Sequence, residues 1–97
     1  MQTDEVLRIL RDHQREIIEK FGVKSLAIFG SVVRNRAKPD SDVDLLVEFV
    51  SPPGFDKYMD MKFFLEGLLG TPVDLVMKDA LRPEAVPIVE EEAVSVT

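Results

Sequence analysis

Apolar side chains recur at Val6, Leu10, Ile17 and Phe21, with Ile9 and Ile18 beside them and charged residues between. That spacing predicts an amphipathic helix over residues 3–21. Thr3 is placed to cap it, Asp4 and Glu5 suit the positive end of the helix dipole, and Gly22 follows as a stop. The pattern then changes. Val23 to Phe29 is short, apolar and bounded by glycines, which predicts a buried strand. Ser31 to Arg36 predicts a short helix beginning at the serine, and Lys38, Pro39, Asp40 and Ser41 a turn-rich loop. Ser41 to Val50 is the clearest strand: Val43, Leu45, Val47 and Phe49 share one face, and Asp42, Asp44, Leu46 and Glu48 share the other. Ser51-Pro52-Pro53-Gly54 ends it. Tyr58 to Leu69 predicts a second helix, apolar nearly all round, with Gly70 as its stop. Thr71 to Met77 predicts a third strand, with Asp74 and Val76 opposite Val73, Leu75 and Met77. Glu84 to Val94 predicts a last helix with Pro87 in its first turn. The order of these elements gives a single α/β (α+β) domain over residues 1–97, a small mixed sheet of at least three strands flanked by helices.

The 97 residues carry 18 acidic and 12 basic side chains, a net charge of −6. A chain this acidic repels a phosphate backbone unless its positive charge is concentrated, so direct nucleic-acid binding is not expected. No apolar run approaches the ~20 residues of a membrane-spanning helix, and no membrane contact is expected. The charged, periodic start of the chain is not a signal peptide. The absence of cysteine excludes disulfides and thiolate chemistry, and a single histidine excludes a multi-histidine metal site. These features favour the cytoplasm. His13 reads as a helix-face residue, and Glu90, Glu91 and Glu92 as a solvated helix face.

The aspartates change this picture. Asp42 and Asp44, two apart on a strand, point to the same side about 6.6 Å from each other. Two such carboxylates repel each other, so keeping both on one face calls for a compensating cation. Hard oxygen donors suit magnesium, whose shell is usually completed by water and substrate phosphates. Two such ions can clamp the attacking and leaving oxygens of a phosphoryl transfer. Asp74 interrupts an otherwise apolar strand in the same way and is the third carboxylate. Asp60 and Asp79 fall where a solvated charge needs no explanation. Gly30-Ser31 lies where a strand gives way to a helix: glycine permits close approach of a phosphate, the first helical amides point outward as donors, and the serine adds another. Arg34, Arg36 and Lys38 concentrate positive charge just beyond. Asp40, Asp42 and Asp44 also imitate the start of a calcium-binding loop, but Leu45 and Ser51 stand where that loop needs glycine and glutamate. No Gly-Lys-Ser/Thr follows Gly30, so this is not a Walker-type loop.

GSVVRNRAKPDSDVDLLVEF resembles the glycine-serine, ten-residue spacer, Asp-x-Asp signature of the polymerase-beta-like nucleotidyltransferases. The resemblance is greatest to their smallest branch, the minimal nucleotidyltransferases of the MntA antitoxin type, and extends through TPVDLVMKDALRP and PIVEEEAV. It implies that Gly30, Ser31, Arg34 and Ser41 bind the nucleotide, that Asp42 and Asp44 hold magnesium, and that Asp74 completes the metal site and helps activate the attacking hydroxyl. The chain departs from the family at Asn35, where glycine is frequent, and in the bulky Val32-Val33 pair. The resemblance further implies two magnesium ions, ATP as substrate, and AMP transfer to a tyrosine hydroxyl of a cognate HEPN-domain toxin.

A chain this short is expected to take its acceptor from another molecule, which makes a hetero-oligomer. The apolar helix over 58–69 leaves room for an interface, including one between copies of the chain. Two other readings stand beside the enzyme: an antitoxin that neutralises a HEPN toxin by binding alone, and transfer to a small molecule or an RNA end. Tyr58 reads as structural rather than as a site of self-modification.

Overall fold

The computed structural model describes residues 2–30, 32–33 and 42–97. Helices α1 (Thr3–Asp12) and α2 (Gln14–Phe21) occupy the stretch predicted as one helix. The break falls at His13, whose backbone N–H turns back to the Leu10 carbonyl at 3.2 Å and whose ring Nδ1 lies 2.9 Å from the Ile9 carbonyl oxygen. This local three-residue hydrogen bond closes α1 before α2 begins at Gln14. The buried faces survive the break: Val6, Leu10, Ile17 and Phe21 all lie in the core. Thr3 does not cap α1. Its hydroxyl donates instead to the Val32 carbonyl at 3.0 Å, tying the start of the chain to the turn after the first strand.

Strands β1 (Val23–Phe29), β2 (Val43–Phe49), β3 (Val73–Met77) and β4 (Val94–Ser95) form one mixed sheet in the order β3-β2-β1-β4. β1 and β2 are antiparallel; β2 and β3 are parallel and joined through α3 (Phe55–Leu69), the connection that parallel neighbours require. A bulge between Val23 and Ser25 inserts Lys24 into β1. It lets Val23 face the core together with Leu26 and Ile28, which a regular two-residue alternation forbids. α3 begins three residues before the expected start, at Phe55, with Gly54 at its N-cap, and ends as expected at Gly70.

One side of the sheet carries the core. Leu26, Ile28, Val43, Leu45, Val47, Val73 and Leu75 pack with Val6, Leu10, Ile17 and Phe21 of the first helices and Met61, Leu65 and Leu69 of α3. Val32, one of the bulky pair after the serine, also belongs to this core, which anchors the turn beside it. Phe55 and Phe63 of α3 remain exposed, at 76% and 60%.

After β3 the chain makes a 3₁₀ turn (Lys78–Ala80) and α4 (Val86–Glu92), then reaches β4 at the opposite edge. α4 is shorter than the predicted 84–94, with Pro87 in its first turn as expected. β4 has no counterpart among the elements the sequence predicts. It pairs with Ala27 and Ile28, is extended by the Val96 N–H donating to Leu26, and is held by Arg11, whose guanidinium donates to the Ser95 carbonyl at 2.8 Å. Val96 is buried in the core behind it. No helix among the described residues is long and apolar enough to cross a membrane.

The free edge of β3 is closed by α3. Glu66 accepts the Val73 N–H at 2.9 Å, and the Tyr58 hydroxyl donates to the Leu75 carbonyl. Edge groups satisfied in this way are withdrawn from pairing with another strand. This gives Tyr58 a structural role. Tyr58→Phe is expected to lower stability by about 0.5–1.5 kcal/mol, the worth of one hydrogen bond, without changing the fold; denaturant titration beside a circular dichroism spectrum reads the two effects.

Candidate active site

The second face of the sheet carries the acidic residues. Strand alternation places Asp42, Asp44, Leu46 and Glu48 on the side opposite the core, and only Leu46 of these is buried. The parallel register pairs Asp44 with Asp74, so the two carboxylates arise from directly opposed positions on neighbouring strands. Strand spacing puts those backbones about 4.8 Å apart. Asp42 lies two residues before Asp44 on the same side, just ahead of β2. Topology therefore sets Asp42, Asp44 and Asp74 on one face of the sheet, the residues that the sequence singles out. Asp42 and Asp74 are exposed and Asp44 is half-buried, as an open site requires.

Gly30 closes the site from the β1 side. Phe29 pairs with Asp44, which sets the glycine beside the aspartate as β1 ends. Gly30 is buried, with φ of 79°, in the left-handed region where side chains are strained. A Cβ at this position would lie 2.0 Å from Oδ2 of Asp44 and 2.9 Å from its Cγ. Glycine is required here twice over, by its backbone angle and by the carboxylate resting against its Cα. The Gly30 N–H donates to Oε1 of Glu92 at 3.2 Å.

Ser31, Arg34 and Ser41 lie outside the described residues, as do Arg36, Lys38 and the loop over 38–41; of the short helix expected over 31–36 only Val32 and Val33 are described, and they lie in a turn. Among the described residues, no three His, Asp or Glu side chains stand close enough together to enclose a metal ion. The donor set nevertheless suits magnesium. It consists of hard carboxylate oxygens on an open face, and magnesium is commonly held by one or two carboxylates with water and substrate phosphates making up the rest.

Glu90 and Glu92 correct the expectation of a simple solvated face. Glu92 reaches Gly30, as above. Glu90 pairs with Lys78 at 2.6 Å, and Lys78 also approaches Glu48 at 4.0 Å. The hydrogen bond that Lys78 donates to Glu90, then the charge of Glu90, hold the Lys78 pKa above the ordinary lysine value against desolvation, with a lesser contribution from the charge of Glu48. Because Glu48 shares the aspartate face, these contacts show that the segment from β3 to β4 crosses on that face. No short-range pattern distinguishes Glu92 from its neighbours; the signal is the topology that returns the chain to β1. A hollow of about 380 Å³ lined by Val47, Phe49, Pro52, Met77 and Lys78 opens at the other end of β2, away from the aspartates.

A mixed sheet that presents an Asp-x-Asp pair, a third aspartate on the adjacent parallel strand and a glycine turn against the second aspartate defines the nucleotidyltransferase class. The family model for the nucleotidyltransferase domain matches residues 10–96. The chain belongs to that family. It is 45% identical over 93 residues to the protein adenylyltransferase MntA of Thermococcus cleftensis, covering 96% of this chain and 94% of the relative. A solved structure described as a minimal nucleotidyltransferase superposes with a TM-score of 0.81 at 37% identity, covering 97% of this chain and 95% of that one. A chain from the complex of a tri-AMPylated Shewanella oneidensis HEPN toxin with its MNT antitoxin shares the fold, with a TM-score of 0.67 at 14% identity over 94% of this chain and 71% of that one.

Proposed function

We propose that the protein is a magnesium-dependent adenylyltransferase that moves AMP from ATP to a tyrosine hydroxyl of a cognate HEPN-type toxin and acts as its antitoxin in the cytoplasm. The observation that carries this reading is the Asp44–Asp74 register with Gly30 packed against Asp44. Identity of 45% to a protein adenylyltransferase supports protein as the acceptor. The fold shared with the antitoxin beside an AMPylated HEPN toxin supports the toxin as partner.

Asp42 and Asp44 would hold the ions, and Asp74 would complete the set. Bound magnesium supplies neutralisation of the charge that grows on the phosphate oxygens. Gly30, with Ser31, Arg34 and Ser41, seats the triphosphate so that the α-phosphorus lies in line with the acceptor oxygen. That oxygen bonds to the α-phosphorus while the bond to the β-phosphate oxygen breaks and pyrophosphate leaves. Asp74 accepts the hydroxyl proton. Positioning and electrostatic stabilisation supply most of the rate.

Incubation with α-labelled ATP, magnesium and the candidate toxin tests the reading. Label is expected on the toxin and is expected to disappear on chelation with EDTA. If the toxin is silenced equally well by Asp42→Asn and Asp44→Asn variants, with no label transferred, the enzyme reading fails and neutralisation by binding alone stands. The exposed Phe55 and Phe63 of α3 favour a partner-binding surface in either case.

A further inference from the structure

The segment that returns the chain across the aspartate face ends with Glu92 on the glycine turn. Its Oε1 accepts the Gly30 N–H at 3.2 Å, a contact between residues 62 positions apart. Gly30 is buried, and the Asp44 carboxylate rests against its Cα. A backbone N–H beside a turn of positive φ is the kind of donor that binds phosphate oxygens. A carboxylate oxygen offers that donor the same two properties, negative charge and lone pairs.

Resting on the reading that this turn seats the triphosphate of ATP, we propose that Glu92 takes the phosphate's place on the Gly30 amide in the nucleotide-free protein and competes with the incoming nucleotide. Glu92 thereby sets nucleotide affinity. To occupy the amide, a phosphate oxygen must displace the carboxylate, and it must do so against like charge. The cost falls on binding, because the exchange is complete before the α-phosphorus is attacked.

The geometry permits the exchange without disturbing the fold. α4 is held independently by the Glu90–Lys78 pair at 2.6 Å. The chain beyond it is held by β4 pairing with Ala27 and Ile28 and by burial of Val96. Release of Gly30 calls for the half-buried Glu92 side chain to turn away from the amide.

Calorimetric titration of the full chain with the magnesium complex of a non-hydrolysable ATP analogue tests this. Glu92→Ala is expected to bind roughly three- to tenfold more tightly than the parent, the range that one modest hydrogen bond corresponds to. Glu92→Gln keeps an acceptor for Gly30 but loses the charge, and is expected to fall between the two. The kcat of adenylyl transfer is expected to stay within about twofold of the parent while KM for ATP falls. In ¹H–¹⁵N spectra without nucleotide, the Gly30 resonance is expected to move in Glu92→Ala. Unchanged or weaker binding by both variants, with parental binding intact, overturns the proposal and makes Glu92 a brace for the turn or part of the ion-holding set. Absence of analogue binding by the parent overturns the nucleotide reading itself, and the proposal with it. If Glu92→Ala does not fold, Glu92→Gln alone decides by the same criterion.

Discussion

Asp44→Asn is expected to leave a folded protein whose adenylyl transfer falls by a factor on the order of 10³ or more. Asp44 sits at the centre of the site: Asp74 is its register partner on β3, Asp42 lies two residues before it, and Gly30 packs against it. The amide that replaces the carboxylate keeps its shape and loses the charge that a divalent ion requires. Asp44 and Asp74 are directly opposed like charges, and neutralising one of them relieves that repulsion. A labelling assay read beside a thermal melt separates the two effects. Loss of the melt together with the activity would mean that Asp44 is needed for folding, and the assignment of its role to chemistry would be wrong.

Gly30→Ala is expected to lose at least about 10²-fold in transfer while costing only about 1–3 kcal/mol in stability. The stability cost comes from placing a side chain at φ of 79°. The activity cost comes from the methyl group, which would lie 2.0 Å from Oδ2 of Asp44 and drive that carboxylate out of position. Gly70 provides the control. It also has positive φ, 68°, yet a Cβ there meets nothing within 4 Å. Gly70→Ala should therefore show a similar loss of stability with parental activity. Equal loss of transfer in both variants would attribute the effect at Gly30 to backbone strain and not to the neighbouring aspartate.

Much of this arrangement is legible in the amino-acid sequence, because it depends on short periods. The buried stripe of Val6, Leu10, Ile17 and Phe21, and the alternation of Val43, Leu45 and Val47 with Asp42, Asp44 and Leu46, are set by helix and strand geometry alone. The Asp-x-Asp pair falls on one face for the same reason, and Asp74 stands out because it breaks an apolar run. The features that no local pattern reveals are non-local or very short. β4 has two residues, too few for a period to show. The turn of the chain at His13 rests on hydrogen bonds to Leu10 and Ile9, which an apolar stripe running through both helices conceals. Thr3 reads as a cap in isolation, but its hydroxyl finds the Val32 carbonyl 29 residues away. Glu92 looks like one of three equivalent acids until the crossover from β3 to β4 brings it to Gly30. For β4, Thr3 and Glu92 the missing information is the order of the strands, which no single segment contains.

Crystals grown with manganese and a non-hydrolysable ATP analogue test the central claim most directly. The account predicts anomalous density for manganese on Asp42 and Asp44, within reach of Asp74, with the triphosphate lying along Gly30 and Ser31. Manganese and triphosphate bound together elsewhere on the molecule, with the three aspartates left to solvent, would contradict it.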